Sequence, residues 1–163
     1  MKDDKKLNER KNFTKDCPGS LWNRFLFFSS IRNGNLKRIR ILLQNGFSPN
    51  LNFYRGITSL LVAVKYHQLE IVQVLIEYCA DPNLADQITG FTLLIHSILE
   101  DDFSLDMKFV LIQSGAEPDQ KDKGGMSPLH HCINEGKLEY LQFLLEKGAD
   151  PTIQDKYGKT YLM

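Results

Sequence analysis

A block of about thirty-three residues recurs along this chain of 163 residues. Four segments align on their ends: Leu42 to Asn50, Leu75 to Asn83, Leu111 to Asp119 and Leu144 to Thr152. Each carries a proline at the same place, at 49, 82, 118 and 151, so the steps are 33, 36 and 33 residues. A fixed period of this size denotes stacked supersecondary units, none able to bury its apolar face alone. Such a chain works by presenting a long surface.

A second motif leads the first within each period. It reads Gly56-Ile57-Thr58-Ser59-Leu60-Leu61, Gly90-Phe91-Thr92-Leu93-Leu94-Ile95 and Gly125-Met126-Ser127-Pro128-Leu129-His130. A further copy starts at Gly158-Lys159-Thr160-Tyr161-Leu162. Thr58, Thr92, Ser127 and Thr160 stand ahead of apolar residues, where a side-chain oxygen caps a helix start. Pro128 suits the first helical position, where the missing backbone donor has no partner to lose. The pattern predicts a short helix ending near Gly34, His67, Asp101 or Gly136, at a position needing a left-handed backbone. A second helix follows over Leu36–Asn45, Leu69–Tyr78, Leu105–Ser114 and Leu138–Lys147, with apolar residues at helical spacing, as in Leu69, Val72, Leu75 and Ile76. Gly46, Gly115 and Gly148 end it. Cys79 takes that place once, at a strain of up to about 1 kcal/mol if the backbone there is left-handed. The proline then forbids continuation.

These motifs resemble the ankyrin repeat, whose first helix opens on Thr-Pro-Leu-His; Ser127-Pro128-Leu129-His130 is the copy most like it. The resemblance runs from about residue 21 to 163. It implies an all-α solenoid of helix-turn-helix units with short β-hairpin fingers, about four repeats and the start of a fifth. Repeats fall at about 21–52, 53–86, 87–121 and 122–154, with a partial one at 155–163. Residues 1–20 are rich in Lys, Asp and Asn and read as a mobile charged tail. The first repeat is degenerate, with Asn23 to Phe28 where the helix-opening motif belongs, as a solenoid end requires. Leu26-Phe27-Phe28 reads as its core. The chain stops inside the first turn of another helix, so the helix over 138–147 would lack a full neighbour. Either a longer protein supplies the next repeat or a partner covers that end.

Net formal charge is zero, so no global pull toward nucleic acid follows. The distribution is uneven. Leu21 to Leu69 hold seven basic residues and no acidic one, and Glu70 onward hold sixteen acidic and seven basic ones. Cys17, Cys79 and Cys132 are far apart, which points to a reducing compartment, cytoplasmic or nuclear, and neither a disulfide framework nor a zinc site. No apolar run reaches membrane-spanning length, and no secretory leader is evident.

Candidates for chemistry are few. His130-His131-Cys132 are consecutive, and neighbours on a helix point about 100° apart, so they do not converge on one metal. The resemblance makes His130 a structural residue that hydrogen-bonds finger backbone. His96 stands one place off that slot, which Ile95 occupies, and reads as a surface or locally satisfied polar residue. Glu100, Asp101, Asp102 and Asp106 form an acidic cluster in a loop two residues longer than its counterparts, without the spacing of a calcium-binding loop. No nucleophile-base pair or phosphate-binding loop stands out, so the reading is a non-catalytic chain with no cofactor, no metal and no small-molecule substrate.

The resemblance places the binding surface in a concave groove formed by finger tips and first-helix ends. The partner-binding residues on that basis are Tyr54, Arg55, Ile57, Lys65, Tyr66, Phe91, Leu99, Glu100, Lys123, Met126, Asn134 and Glu135. Tyr54, Tyr66, Phe91, Leu99 and Met126 read as an apolar strip of the kind interfaces favour. Arg32, Arg55 and Lys65 flank it at one end, and Glu100 and Glu135 at the other. The partner is another protein and the role is adaptor, inhibitor or targeting arm. An alternative is the targeting part of a larger enzyme, a ubiquitin-ligase substrate receptor or a bacterial effector. A weaker one is nucleic-acid binding by the basic first repeats.

Overall fold

The computed structural model describes residues 21–100 and 105–160. The tail expected over 1–20 and the acidic loop residues 101–104 lie outside them. The described residues hold eight helices in four antiparallel pairs: α1 (Leu21–Arg32) with α2 (Leu36–Gln44), α3 (Ser59–Lys65) with α4 (Leu69–Glu77), α5 (Leu93–Leu99) with α6 (Leu105–Gln113), and α7 (Pro128–Asn134) with α8 (Leu138–Glu146). First helices pack on first helices, α1 on α3 and α5 on α7, while α2 packs on α4.

Capping chemistry sets the helix ends. Thr58 Oγ1 accepts the Leu61 N–H at 3.1 Å and Thr92 Oγ1 accepts that of Ile95 at 3.3 Å, so α3 and α5 start where the hydroxyls stand. Pro128 opens α7. The tight corner inside each pair is left-handed at Gly34 (φ 67°), His67 (φ 53°) and Gly136 (φ 67°), and Asp101 lies outside the described residues. The second helices stop one residue earlier than the pattern suggests, that residue serving as cap. Cys79 has φ 64° at the position where Gly46, Gly115 and Gly148 have 88°, 89° and 91°.

The core is a ribbon running from pair to pair. Phe27, Ile31, Ile39, Leu60, Ile71, Leu75, Leu94, Ile98, Leu111 and Leu144 are fully buried along it. Within the first pair Phe27 stacks on Phe47 with ring centroids 5.8 Å apart, and Phe28 is buried beside it. One buried polar contact crosses repeats: the Ser97 and Tyr140 hydroxyls lie 2.7 Å apart. Burial pushes the Tyr140 phenol far above its ordinary value, with the Ser97 hydrogen bond opposing.

A polar ladder also joins the repeats, through the residue that follows each proline. Asn50 Oδ1 accepts the Asp81 N–H at 2.8 Å, Asn83 Oδ1 that of Glu117 at 2.7 Å, and Asp119 Oδ1 that of Asp150 at 3.0 Å. The fourth copy has Thr152 in this place, and it bonds locally to Asp150.

The fingers differ from the hairpins implied by the resemblance. No strand occurs among the described residues, only an isolated antiparallel bridge between Asn52 and Thr58. The reason is local. An aspartate side chain takes the backbone donors that a second strand would take. Asp86 accepts the N–H groups of Ile88, Thr89 and Phe91 at 2.7, 2.8 and 3.0 Å, and Asp155 those of Tyr157 and Lys159 at 2.7 and 2.9 Å. The fingers at Asp86, Asp122 and Asp155 are therefore turns, while the first has Phe53 in that place and is flanked by the bridge. Successive turns join through Gln87 N–H to Arg55 O at 3.1 Å and Lys123 N–H to Thr89 O at 3.0 Å. Gly90 makes the second contact possible: its φ is 76°, and a Cβ there would stand 2.8 Å from Lys123 N.

Candidate interaction surface

The first helices end on one edge of the stack, beside the fingers, and their terminal side chains touch across repeats. The Arg32 guanidinium lies 5.4 Å from the Tyr66 ring centroid, joining α1 to the residue after α3. Lys65 Nζ stands 2.8 Å from Glu100 Oε1, joining α3 to the residue after α5. On the first finger Arg55, held at φ 58°, places its guanidinium 4.9 Å from the Tyr54 ring centroid.

Tyr54 and Tyr66 are well exposed, at 61% and 44%. Arg55, Lys65, Lys123, Asn134 and Glu135 are exposed as well, and the Lys123 ammonium donates to the Gln87 carbonyl. Ile57, Phe91, Leu99 and Met126 are half-buried, and Ile57 packs against the core. Phe91 stands edge-on between two imidazoles, 5.7 Å from His96 and 5.2 Å from His131. The structure thus brings Tyr54, Arg55, Tyr66 and Arg32 together as two exposed aromatic-cation pairs. It does not join them to Phe91, Leu99 and Met126 in one exposed apolar strip, because those three residues are half-buried, Phe91 between His96 of its own repeat and His131 of the next. Glu100 does not flank the surface opposite Lys65; the two neutralise each other.

The histidines divide into two kinds. His130 is buried; its Nδ1 accepts the Ser127 N–H at 3.1 Å and lies 2.7 Å from Ser127 Oγ, and the ring also hydrogen-bonds the Lys159 backbone on the next finger. Burial lowers its pKa. Ser127 and His130 are 0% and 1% exposed, so this serine-histidine contact fixes the start of α7 and no substrate reaches it. His96 and His131 face the fingers. His131 Nε2 meets Asp122 Oδ2 at 2.8 Å, while His96 Nε2 lies 3.6 Å from Asp86 Oδ2 and its Nδ1 4.0 Å from Glu100 Oε1. Burial lowers the His96 pKa, and the nearby Lys65 charge adds to that against Asp86 and Glu100.

This network of Lys65, Glu100, His96 and Asp86 has no sequence motif, because its members lie up to 35 positions apart (65 to 100). The period was the available signal: Lys65 is the last residue of α3 and Glu100 the first after α5, one place apart in repeat register. Of the acidic cluster, only the Glu100 side chain falls among those described. Among the described residues no three His, Cys, Asp or Glu side chains are grouped as a metal site, and no helix is long and apolar enough to cross a membrane.

Comparison with known proteins bears on what this surface is for. The family model described as ankyrin repeats (3 copies) matches residues 5–86 and 94–163. A probable E3 ubiquitin-protein ligase, XBOS32, of Oryza sativa subsp. japonica is 30% identical over 75% of this chain and 31% of its own length. The B-cell lymphoma 3 protein homolog of Mus musculus is 34% identical over 68% of this chain and 24% of its own length. ADP-ribosylation factor GTPase-activating protein AGD4 of Arabidopsis thaliana is 30% identical over 60% of this chain and 14% of its own length. The chain thus spans less than a third of each of these relatives.

Proposed function

We propose, from the premise that this chain belongs to the ankyrin-repeat family, that it is a non-catalytic protein-recognition module whose site is the edge formed by finger tips and first-helix ends. The observation that carries this reading is the pair of exposed tyrosines, Tyr54 and Tyr66, each faced by an arginine. Tyrosine and arginine are among the residues that most often dominate protein interfaces, since each offers apolar area and a directed polar group. Lys123, Asn134 and Glu135 extend the same edge. Phe91, Leu99, Met126 and Ile57 support it from beneath. The back helices offer no comparable pairing of exposed tyrosine with arginine among the described residues.

The test is affinity for a partner recovered by capture, measured with Tyr54→Ala and Tyr66→Ala chains. Loss of about 2 kcal/mol or more for either substitution supports the reading. Unchanged affinity in both, with loss on changing Glu70 and Glu139 of the back helices, sinks it. A second reading, in which the module targets a larger enzyme, is favoured by the ligase and GTPase-activating relatives, both much longer than the part they share with this chain. Either reading uses the same surface.

A further inference from the structure

The charge of this chain is sorted across the repeats. Five cations stand exposed on the fingers: Arg55, Lys121, Lys123, Lys156 and Lys159. Among the described residues none of them lies within 4.0 Å of a carboxylate. Two of the three finger aspartates do not cancel them outward; the third, Asp155, is more open and its carboxylate feels the Lys159 charge. Asp86 and Asp122 have side chains 11% and 4% exposed, and their oxygens are taken by turn N–H groups and by His131. Most exposed carboxylates lie instead on the second helices, at Glu70, Glu77, Glu139 and Glu146, and in the loops behind them, with Glu135 the exception at the end of α7. A neutral chain therefore has a basic finger edge and, from the second repeat on, an acidic back.

We infer that the segment recognised along the fingers is an extended, acidic stretch of another protein, with a carboxylate at about every third residue; this rests on the reading of the edge as a protein-recognition site. Stacked helices sit about 8–10 Å apart, so finger charges repeat at about that interval. A chain in the extended polyproline-II form rises about 3.1 Å per residue with three residues per turn, so three residues span one repeat and return to the same face. A nucleic-acid duplex carries on each strand a phosphate about every 3.4 Å of its axis, far denser than one or two cations per repeat. Two of the cations lie over tyrosine rings, Arg55 over Tyr54 at 4.9 Å and Lys156 over Tyr157 at 5.0 Å, which gives apolar area between the charges. A peptide with small apolar residues between carboxylates uses both.

The experiment is selection of a displayed library of random twelve-residue peptides on the whole chain, followed by affinity measurement of the selected peptides. The selected peptides should be enriched in Asp and Glu at a spacing of three. Their affinity should fall at least tenfold between 50 and 300 mM salt, a range over which exposed charges become screened. It should fall at least tenfold on Arg55→Gln/Lys123→Gln/Lys156→Gln and stay unchanged on Glu70→Gln/Glu139→Gln, with thermal unfolding followed for both. If the triple variant unfolds early, Lys156→Gln/Lys159→Gln gives the same reading from the last finger alone. Neutral or basic selected peptides, or peptides bound equally by the finger variants, overturn the inference. Tighter binding of a single-stranded oligonucleotide or of phosphatidylserine vesicles to the same cations overturns it too. If the selected peptides ignore the finger cations but are lost on Tyr54→Ala/Tyr66→Ala, the recognition edge stands and its acidic preference falls. If no peptide depends on either set, both fall.

Discussion

Lys65 Nζ and Glu100 Oε1 meet at 2.8 Å, and each side chain is about two-fifths exposed, at 40% and 39%. The pair ties the end of α3 to the residue that follows α5. At that exposure an ion pair is worth about 0–1 kcal/mol. Lys65→Glu places two carboxylates together and should lower unfolding free energy by up to about 1 kcal/mol. Lys65→Glu/Glu100→Lys should recover most of it. Urea titration reads both; a double variant as weak as the single would show that the two side chains do not couple.

The Ser97 and Tyr140 hydroxyls form a buried bond between the third and fourth repeats. Tyr140→Phe removes one partner and leaves the Ser97 hydroxyl its bond to the Leu94 carbonyl at 2.7 Å. The cost should be about 0.5–1.5 kcal/mol, the net worth of one such bond. Ser97→Ala/Tyr140→Phe should cost less than the two single changes added together. Strict additivity would contradict the contact.

Cys79 occupies a left-handed position that glycine fills in three other repeats. Cys79→Gly should raise stability by up to about 0.5 kcal/mol, the strain relieved less the extra freedom glycine gives the unfolded chain. Thermal unfolding measures it, and a less stable variant would mean that the thiol makes a contact outweighing the backbone strain.

Asp86 is subject to burial, which raises its pKa, but hydrogen bonds from the Thr89 hydroxyl and the Thr89, Ile88 and Phe91 N–H groups outweigh burial and hold it at about 2, against 3.8 for a free side chain. A carboxylate lowered on folding stabilises above its unfolded pKa, and that stability is lost as pH falls through the folded one. Asp86→Asn should flatten the decline in stability between pH 4 and 2. His96 is lowered as well, chiefly by burial, so its neutral form favours the fold and stability should also slip as pH falls below 6.5. His96→Gln should remove that upper step while the Asp86 step stays. A variant that changes neither window would separate these groups from the acid response.

Much of the architecture was legible because repetition averages out local accident. Thr58, Thr92 and Ser127 marked three helix starts, and the glycines marked the ends. The helix boundaries drifted by one residue because a terminal cap and a last helical residue have the same composition. The fingers are turns and not paired strands for a physical reason: Asp86, Asp122 and Asp155 satisfy backbone donors within one turn, and no period-two pattern exists to say so. Side-chain direction was also hidden. Phe91 and Met126 share repeat positions with exposed residues elsewhere, yet Phe91 turns between His96 and His131. The sorting of charge between fingers and back was hidden for the same cause. Counting along the chain shows a basic first half, whereas the fold sorts charge between fingers and back.

On the proposed reading, partners are met on the finger edge and not on the second helices. Photo-crosslinking reads this directly, with a photoreactive residue placed at 54 or 66 on the edge and, separately, at 70 or 139 on the back. The account predicts one shared set of crosslinked proteins at 54 and 66, reduced when Arg55 and Lys123 are changed to glutamine, and background labelling at 70 and 139. Strong, specific crosslinks at 70 or 139 with none at 54 and 66 would contradict it.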